Sequence, residues 1–160
     1  TTGQASACTP RGATMNSSPY GVNIDPINTL DFVLSLNPTF VARGYSGEVD
    51  QMTDLIRQAL NHNGFAFLEI LQACPTYNKE TPDEWYATRV NDVQALEDYD
   101  KTDIWQARKL IEFGNSDNVP TGLIYHNPRP QNFMQKQPGR EKLTTTLVEE
   151  VKNVDVSKLI

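Results

Sequence analysis

Long apolar runs are missing from this sequence: the longest is Phe65-Ala66-Phe67-Leu68. A membrane helix needs roughly 20 such residues and the core of an export signal roughly 7–15, so neither is expected. Basic side chains are outnumbered, 14 Lys and Arg against 20 Asp and Glu, for a net charge of −6. A face built to neutralise phosphates is disfavoured, and with it general nucleic-acid binding. Cysteine is scarce. Cys8 and Cys74 stand far apart with no Cys-x-x-Cys pair, which argues against a disulfide framework and a self-contained zinc site. A reducing, cytoplasmic setting fits. The two histidines, His62 and His126, read as a helix-end contact and a surface residue. There is no Gly-rich phosphate cradle and no Gly-x-Ser-x-Gly elbow. The chain opens on Thr1 rather than Met, so a piece of something longer is expected.

What is present is enough for one modest core: 160 residues is about one domain's worth. Residues 1–28 are crowded with Thr, Ser, Gly, Asn and Pro and read as an extended loop; a structureless loop of that length is uncommon unless functional or held by a partner. A short helix is expected over Leu30 to Leu36, ending before Pro38. A strand follows over Thr39 to Arg43, then a turn at Gly44 to Gly47. Met52, Leu55, Ile56, Ala59 and Leu60 make a helical stripe, which Asn63-Gly64 stops with a left-handed cap. Phe65 to Leu71 is a second strand. Strand, helix, strand with short connections is the unit of a parallel sheet, and the fold class is α/β.

Downstream, helices are expected over Asp83 to Val90 and from Ile104 to Gly114, with a last short strand at Leu123-Ile124-Tyr125. Three prolines between Pro128 and Gly139 suggest a surface arm, and Leu143 to Val154 a terminal helix. Two positions invite chemistry. Cys74 follows a strand and precedes Pro75, where α/β proteins gather ligands, although a lone cysteine there is more often a small buried hydrophobe. Arg43, Tyr45 and Ser46 occupy the corresponding end of the other strand, as a turn and helix entry or as ligand contacts. Trp85, Tyr86 and Trp105 read as sheet cover or a subunit face, and Glu97, Asp98, Asp100 and Asp103 as a solvated face. No residue is assigned a catalytic role on these grounds.

Several segments together carry a resemblance: Gly3-Gln4-Ala5-Ser6, Thr9-Pro10, Pro19-Tyr20-Gly21, Phe40-Val41-Ala42-Arg43-Gly44-Tyr45-Ser46-Gly47 and Cys74-Pro75-Thr76-Tyr77-Asn78. In order and spacing, over about residues 1–80, this series resembles the β subunit of 2-oxoacid:ferredoxin oxidoreductases. The remaining half looks like the looser carboxy-terminal region of those subunits. The resemblance implies a parallel-sheet fold that binds thiamine diphosphate, with residues 1–80 as the carboxy-terminal half of that domain and 81–160 as a helical extension and arm.

It also implies oxidative decarboxylation of a 2-oxo acid such as pyruvate or 2-oxoglutarate to its acyl-CoA, with electrons passed to ferredoxin. The implied cofactors are thiamine diphosphate, Mg2+ and a 4Fe–4S cluster; the implied partners are an α subunit, ferredoxin, coenzyme A and the 2-oxo acid. Thr1, Thr2, Gly3 and Gln4 match the segment that runs beside the diphosphate and substrate. Cys74 matches a cluster-ligating cysteine whose fellow ligands lie upstream. The family's Gly-Asp-Gly magnesium motif and the metal-binding Asn are not found here, so this chain alone is expected to be inactive. Cys8 departs from the family pattern and reads as a plain thiol, redox-sensitive if exposed. A non-catalytic interaction module derived from the same fold is the alternative reading.

Overall fold

A computed structural model of the chain describes residues 3–113, 117–140, 144–152 and 157. They form two compact units, 1–130 and 131–160. In the first, the element order is α1 (Thr29–Ser35), β1 (Phe40–Tyr45), α2 (Val49–Asn61), β2 (Ala66–Leu71), α3 (Asp83–Ala87), β3 (Val90–Asp92), a 3-10 turn at Val93–Ala95, α4 (Ile104–Phe113) and β4 (Val119–His126). The second carries α5 (Leu147–Lys152). No helix of the described residues is long and apolar enough to cross a membrane.

The central β1-α2-β2 unit is parallel, with Phe40 opposite Ala66 through to Tyr45 opposite Leu71. The sheet order is β2-β1-β4-β3. The α/β fold with a mostly parallel sheet is as expected, with one antiparallel pairing: β4 runs antiparallel to β1 and parallel to β3. Beyond the short segment at Leu123, the strand extends back to Val119 through Pro120 and the left-handed Gly122. A bulge between Val41 and Ala42 absorbs its register shift.

Alternation along the strands divides the core into two layers. On one face Val41, Ile124 and Tyr125 pack with Leu30, Val33 and Leu34 of α1 and Ala107 and Ile111 of α4. On the other, Phe40, Ala42 and Leu123 pack with Leu55 of α2. Leu30, Leu34 and Leu55 are fully enclosed, and truncating any one to Ala is expected to cost about 2–5 kcal/mol. The side chain of Asn28 caps α1 by accepting from the Asp31 N–H at 3.3 Å, and the helix ends before Pro38 as expected, through a left-handed Asn37.

Other boundaries differ from the sequence expectations. α2 ends at an extended His62, and Gly64 is not left-handed. Its lack of a side chain is used for space, because a Cβ there would press on Thr39 Oγ1 and on the His62 ring. α3 stops at Ala87 rather than Val90, because Val90 pairs with Val119 and the Arg89 carbonyl accepts the Val119 N–H at 2.9 Å. Gly114 lies outside the described residues, as do Leu143 and Val154; Pro128 to Gly139 carries turns without helix or strand.

Candidate functional site

The opening loop is irregular but not loose. Gly12 and Val22 are tied by their backbones at 2.8 Å, Met15 and Ser18 form an isolated bridge, and Ile27 donates to Ala7 at 2.9 Å. Gly3 is strapped to the middle of this loop: its carbonyl accepts the Asn16 N–H at 2.8 Å, and the Ala5 N–H donates to Ser17 Oγ at 2.8 Å. Gly3 is buried with φ +67; a Cβ on it would lie 2.7 Å from Asn16 Nδ2 and 3.0 Å from the Tyr77 ring. Glycine is thus required twice here, for its backbone angle and for the close approach. Gln4 is exposed. Thr1 and Thr2 lie outside the described residues.

Tyr77 belongs to the loop after β2, so two segments read separately in the sequence, Gly3-Gln4 and Cys74 to Asn78, meet in space. A surface cavity of about 350 Å³ lies between them, lined by Gly3, Thr14, Met15, Asn16, Thr76 and Tyr77. The loop is shaped by its own polar groups. Asn78 Oδ1 accepts the N–H groups of Glu80 and Thr81 at 3.1 and 3.2 Å, and Lys79 Nζ donates to the Pro75 carbonyl at 2.5 Å. Cys74, half-buried at the start of this loop, accepts the Tyr77 N–H at its Sγ, 3.5 Å away. The backbone N–H groups of Tyr77, then Thr76 and Asn78, hold its thiol below the usual range. A thiolate so held is a ready nucleophile or metal ligand. One thiolate fits one iron of a cluster and no more. Among the described residues no group of three or more His, Cys, Asp or Glu side chains is disposed around a common metal position.

The strand end beside this loop is pinned by Tyr45. Its buried ring stacks on Tyr86 with centroids 5.5 Å apart, and its hydroxyl donates to the carboxylate and the carbonyl of Asp83. Burial, with the Asp83 carboxylate second, pushes its pKa up to about 12. Arg43, two pairs back along β1, faces Glu69 across the strands, with Nε to Oε2 at 2.6 Å and both side chains largely enclosed, 16% and 20% exposed. This pair lines a 260 Å³ cavity with Cys8, Asn28 and Thr29. Cys8 is exposed, its Sγ 3.2 Å from Thr29 Oγ1. It is not part of the Cys74 loop.

Sequence reading missed one constellation. His62 and His126, taken separately as a cap contact and a surface residue, pack edge to face with ring centroids 5.4 Å apart, and both lie against Phe40. His62 Nε2 is 2.9 Å from Thr39 Oγ1. Burial, then the neighbouring His126, holds His62 below its ordinary pKa. Arg57, Gln58 and Asn61 of α2 complete a cleft of about 380 Å³ around them.

Residues 74–142, beginning at Cys74, match the family described as the carboxy-terminal part of the pyruvate ferredoxin oxidoreductase beta chain. The 2-oxoacid:ferredoxin oxidoreductase subunit beta of Sulfolobus sp is 36% identical over 146 residues, 85% of this chain and 47% of that protein. Subunit beta of 2-oxoacid:ferredoxin oxidoreductase 2 from Aeropyrum pernix is 36% identical over 122 residues, 70% of this chain and 39% of that protein. Among solved structures, a 2-oxoglutarate:ferredoxin oxidoreductase from Magnetococcus marinus, with 2-oxoglutarate, coenzyme A and succinyl-CoA bound, superposes with a TM-score of 0.74. It is 26% identical, over 98% of this chain and 51% of that one.

The class of protein that this chain is similar to is therefore that of ferredoxin oxidoreductase subunits, and it has the mixed α/β sheet described above. Within that class its likeness is to 2-oxoacid:ferredoxin oxidoreductase β subunits. It spans about half the length of the curated relatives it matches.

Proposed function

We propose that this chain forms part of the β subunit of a 2-oxoacid:ferredoxin oxidoreductase. The whole enzyme oxidatively decarboxylates a 2-oxo acid such as 2-oxoglutarate or pyruvate, delivers the acyl group to coenzyme A and passes the electrons to ferredoxin. The observation that carries the reading is the meeting of the Gly3 strap with the Cys74 loop at Tyr77, because it gathers the two family-like segments at one place. Thiamine diphosphate, bound with Mg2+, supplies the carbanion and electron-sink chemistry of such enzymes.

This chain's share is positional. Of the segment Thr1, Thr2, Gly3 and Gln4 that would border the diphosphate, Gly3 and Gln4 lie among the described residues, and Gly3 lets the backbone pass closely under Tyr77. Cys74 offers one thiolate to a 4Fe–4S cluster, the three N–H groups around it favouring the charged sulfur that iron binds. The remaining cluster ligands and the magnesium ligands come from outside this chain, so the 160-residue chain alone is inactive. Residues 1–80 supply the cofactor-domain half and 81–160 the extension.

The test is to express the full-length β subunit that includes this segment with its α subunit. The outcomes to measure are iron content, and acyl-CoA formation from each 2-oxo acid with ferredoxin as acceptor. Cys74→Ser is expected to lower the iron content and abolish electron delivery. Full iron and full activity in that variant would remove Cys74 from the cluster. Turnover by the 160-residue chain alone would defeat the claim that its site is incomplete.

A further inference from the structure

The histidine cleft lies at the end of β1 away from the Cys74 loop. Phe40 begins β1 opposite Ala66 and His126, whereas Tyr45 and Leu71 close the other end, just ahead of Cys74. Six residues of strand put roughly 16 Å between the two ends. A chain of enclosed groups fixes the state of one ring in this cleft. Thr39, 5% exposed, donates its single hydroxyl proton to the Phe65 carbonyl at 2.8 Å. The 2.9 Å contact between Thr39 Oγ1 and His62 Nε2 therefore has the imidazole as donor, and neutral His62 carries its proton on Nε2. Its Nδ1 keeps a lone pair. Gly64 leaves the room this contact needs. A histidine that donates one nitrogen to a fixed acceptor and presents the other as a lone pair is arranged as metal-binding imidazoles are.

The other groups lining the cleft offer lone pairs as well. The His126 ring stands 5.4 Å from that of His62, centroid to centroid, and among the described residues neither of its nitrogens has a hydrogen-bond partner. Gln58 gives its amide N–H to Asp54 at 2.6 Å and Asn61 gives its own to the Arg57 carbonyl at 3.0 Å. Each therefore keeps its side-chain oxygen as an acceptor, and among the described residues neither oxygen is used. Arg57, the cation of the cleft, leans on Asp54 at 3.8 Å. Helix α2 also ends here, at Asn61, and the carbonyl end of a helix favours positive charge. An anion entering the cleft would meet lone pairs; a metal cation would meet ligands.

We infer that this cleft binds a divalent transition-metal ion through His62 Nδ1 and a ring nitrogen of His126, with the amide oxygens of Gln58 and Asn61 as further donors. Two imidazoles sharing one ion, at metal–nitrogen bonds of about 2.0–2.1 Å, have ring centroids about 5 Å apart. The observed spacing of 5.4 Å needs little adjustment to reach that. Zinc, nickel and copper suit imidazole, whereas calcium and magnesium draw on carboxylates, none of which lines the cleft among the described residues. Thr39 is a positioning residue in this site: it touches no metal but holds the His62 tautomer that binds one. Neither histidine has a part in the proposed reaction, so the site stands independently of it.

Nickel is the probe, because an iron–sulfur cluster contains none and the nickel X-ray absorption edge is read separately from that of iron. The full-length protein that includes this segment, untagged and in its native assembly, is titrated with Ni2+ by calorimetry. One ion is expected per copy of the segment, and the absorption fine structure of the wild type is expected to show imidazole and oxygen ligands without sulfur. No binding would overturn the site, and so would a sulfur ligand, which places the ion on a cysteine. His126→Phe, which keeps a ring against Phe40, is expected to weaken binding at least about tenfold; unchanged affinity would overturn the site. Thr39→Val keeps both imidazoles but frees the His62 tautomer, and is expected to weaken binding about tenfold, with Thr39→Ser restoring it. Equal affinity in all three forms would strike out the positioning role. Should a variant fail to fold, the absorption spectrum of the wild type still decides the ligands. Nickel bound as expected by a protein that forms no acyl-CoA would leave this site standing and count against the proposed reaction alone.

Discussion

Tyr77 closes over Gly3: its ring carbons lie 3.0 Å from where a β-carbon on residue 3 would stand. A left-handed backbone costs a non-glycine residue roughly 1–2 kcal/mol before any clash is counted. Gly3→Ala is therefore expected to destabilise the opening loop by about 2 kcal/mol. The measurement is limited proteolysis within residues 3–28 alongside chemical unfolding. Adding Tyr77→Ala is expected to relieve the steric part and leave the backbone part. Cleavage and unfolding unchanged by Gly3→Ala would refute the contact.

Cys74 is expected to react as a thiolate at lower pH than a free cysteine. With Cys8→Ser in place to leave one thiol, the midpoint of its alkylation rate against pH should fall below the usual 8.5 or so. Thr76→Pro, which deletes one of the three surrounding N–H groups, is expected to move that midpoint upward. A midpoint at or above the free-thiol value would show that the backbone cage does not act on the sulfur.

The Arg43–Glu69 pair makes an asymmetric prediction. Arg43→Met leaves a mostly enclosed carboxylate without its partner, at a cost of about 2 kcal/mol, less than the roughly 3–5 of a fully buried pair. Arg43→Met with Glu69→Met removes both charges and is expected to recover most of that loss. A double variant as unstable as the sum of the singles would mean that the two side chains act independently.

Acidification should weaken the fold through His62. Its folded pKa lies below the ordinary value of 6.5, so the unfolded chain binds the proton more readily. The stability this contributes is complete above about pH 6.5 and is lost as pH falls beneath it. Among the described residues no carboxylate lines the cleft to compensate; Arg57 and His126 are the other ionisable groups found there. Between pH 7 and 5 the unfolding free energy of the wild type is expected to fall more steeply than that of His126→Phe. Equal slopes would exclude coupling between the two rings.

What could be read along the chain was whatever is decided locally. The stripe from Met52 to Leu60, the apolar run after Gly64 and the stop at Pro38 each signal an element within a few residues. β3 is only Val-Asn-Asp, too short for alternation to show, and it exists because β4 lies beside it. Val119 to Gly122 carries a proline and a glycine that argue against a strand in isolation, yet both are accommodated where β4 meets its neighbours. The approach of His62 to His126 is set by the β1–β4 pairing of Phe40 with His126, which no local pattern announces. The site was legible in its parts, Gly3-Gln4 and Cys74 to Asn78, but their contact at Tyr77 depends on how the opening loop folds back.

The antiparallel seam between β1 and β4 also governs the order in which the fold can form. Both core layers draw on β4, through Ile124 and Tyr125 on one face and Leu123 on the other. Until those residues leave the ribosome, Phe40, Val41 and Ala42 have β2 beside them but lack one wall of each layer. Pairings between segments so distant in sequence form late and slowly. A nascent chain ending before Val119 is thus committed to waiting: its β1-α2-β2 unit exposes apolar surface for the whole time needed to synthesise the intervening helices, and it is over this interval that chaperone engagement should be greatest.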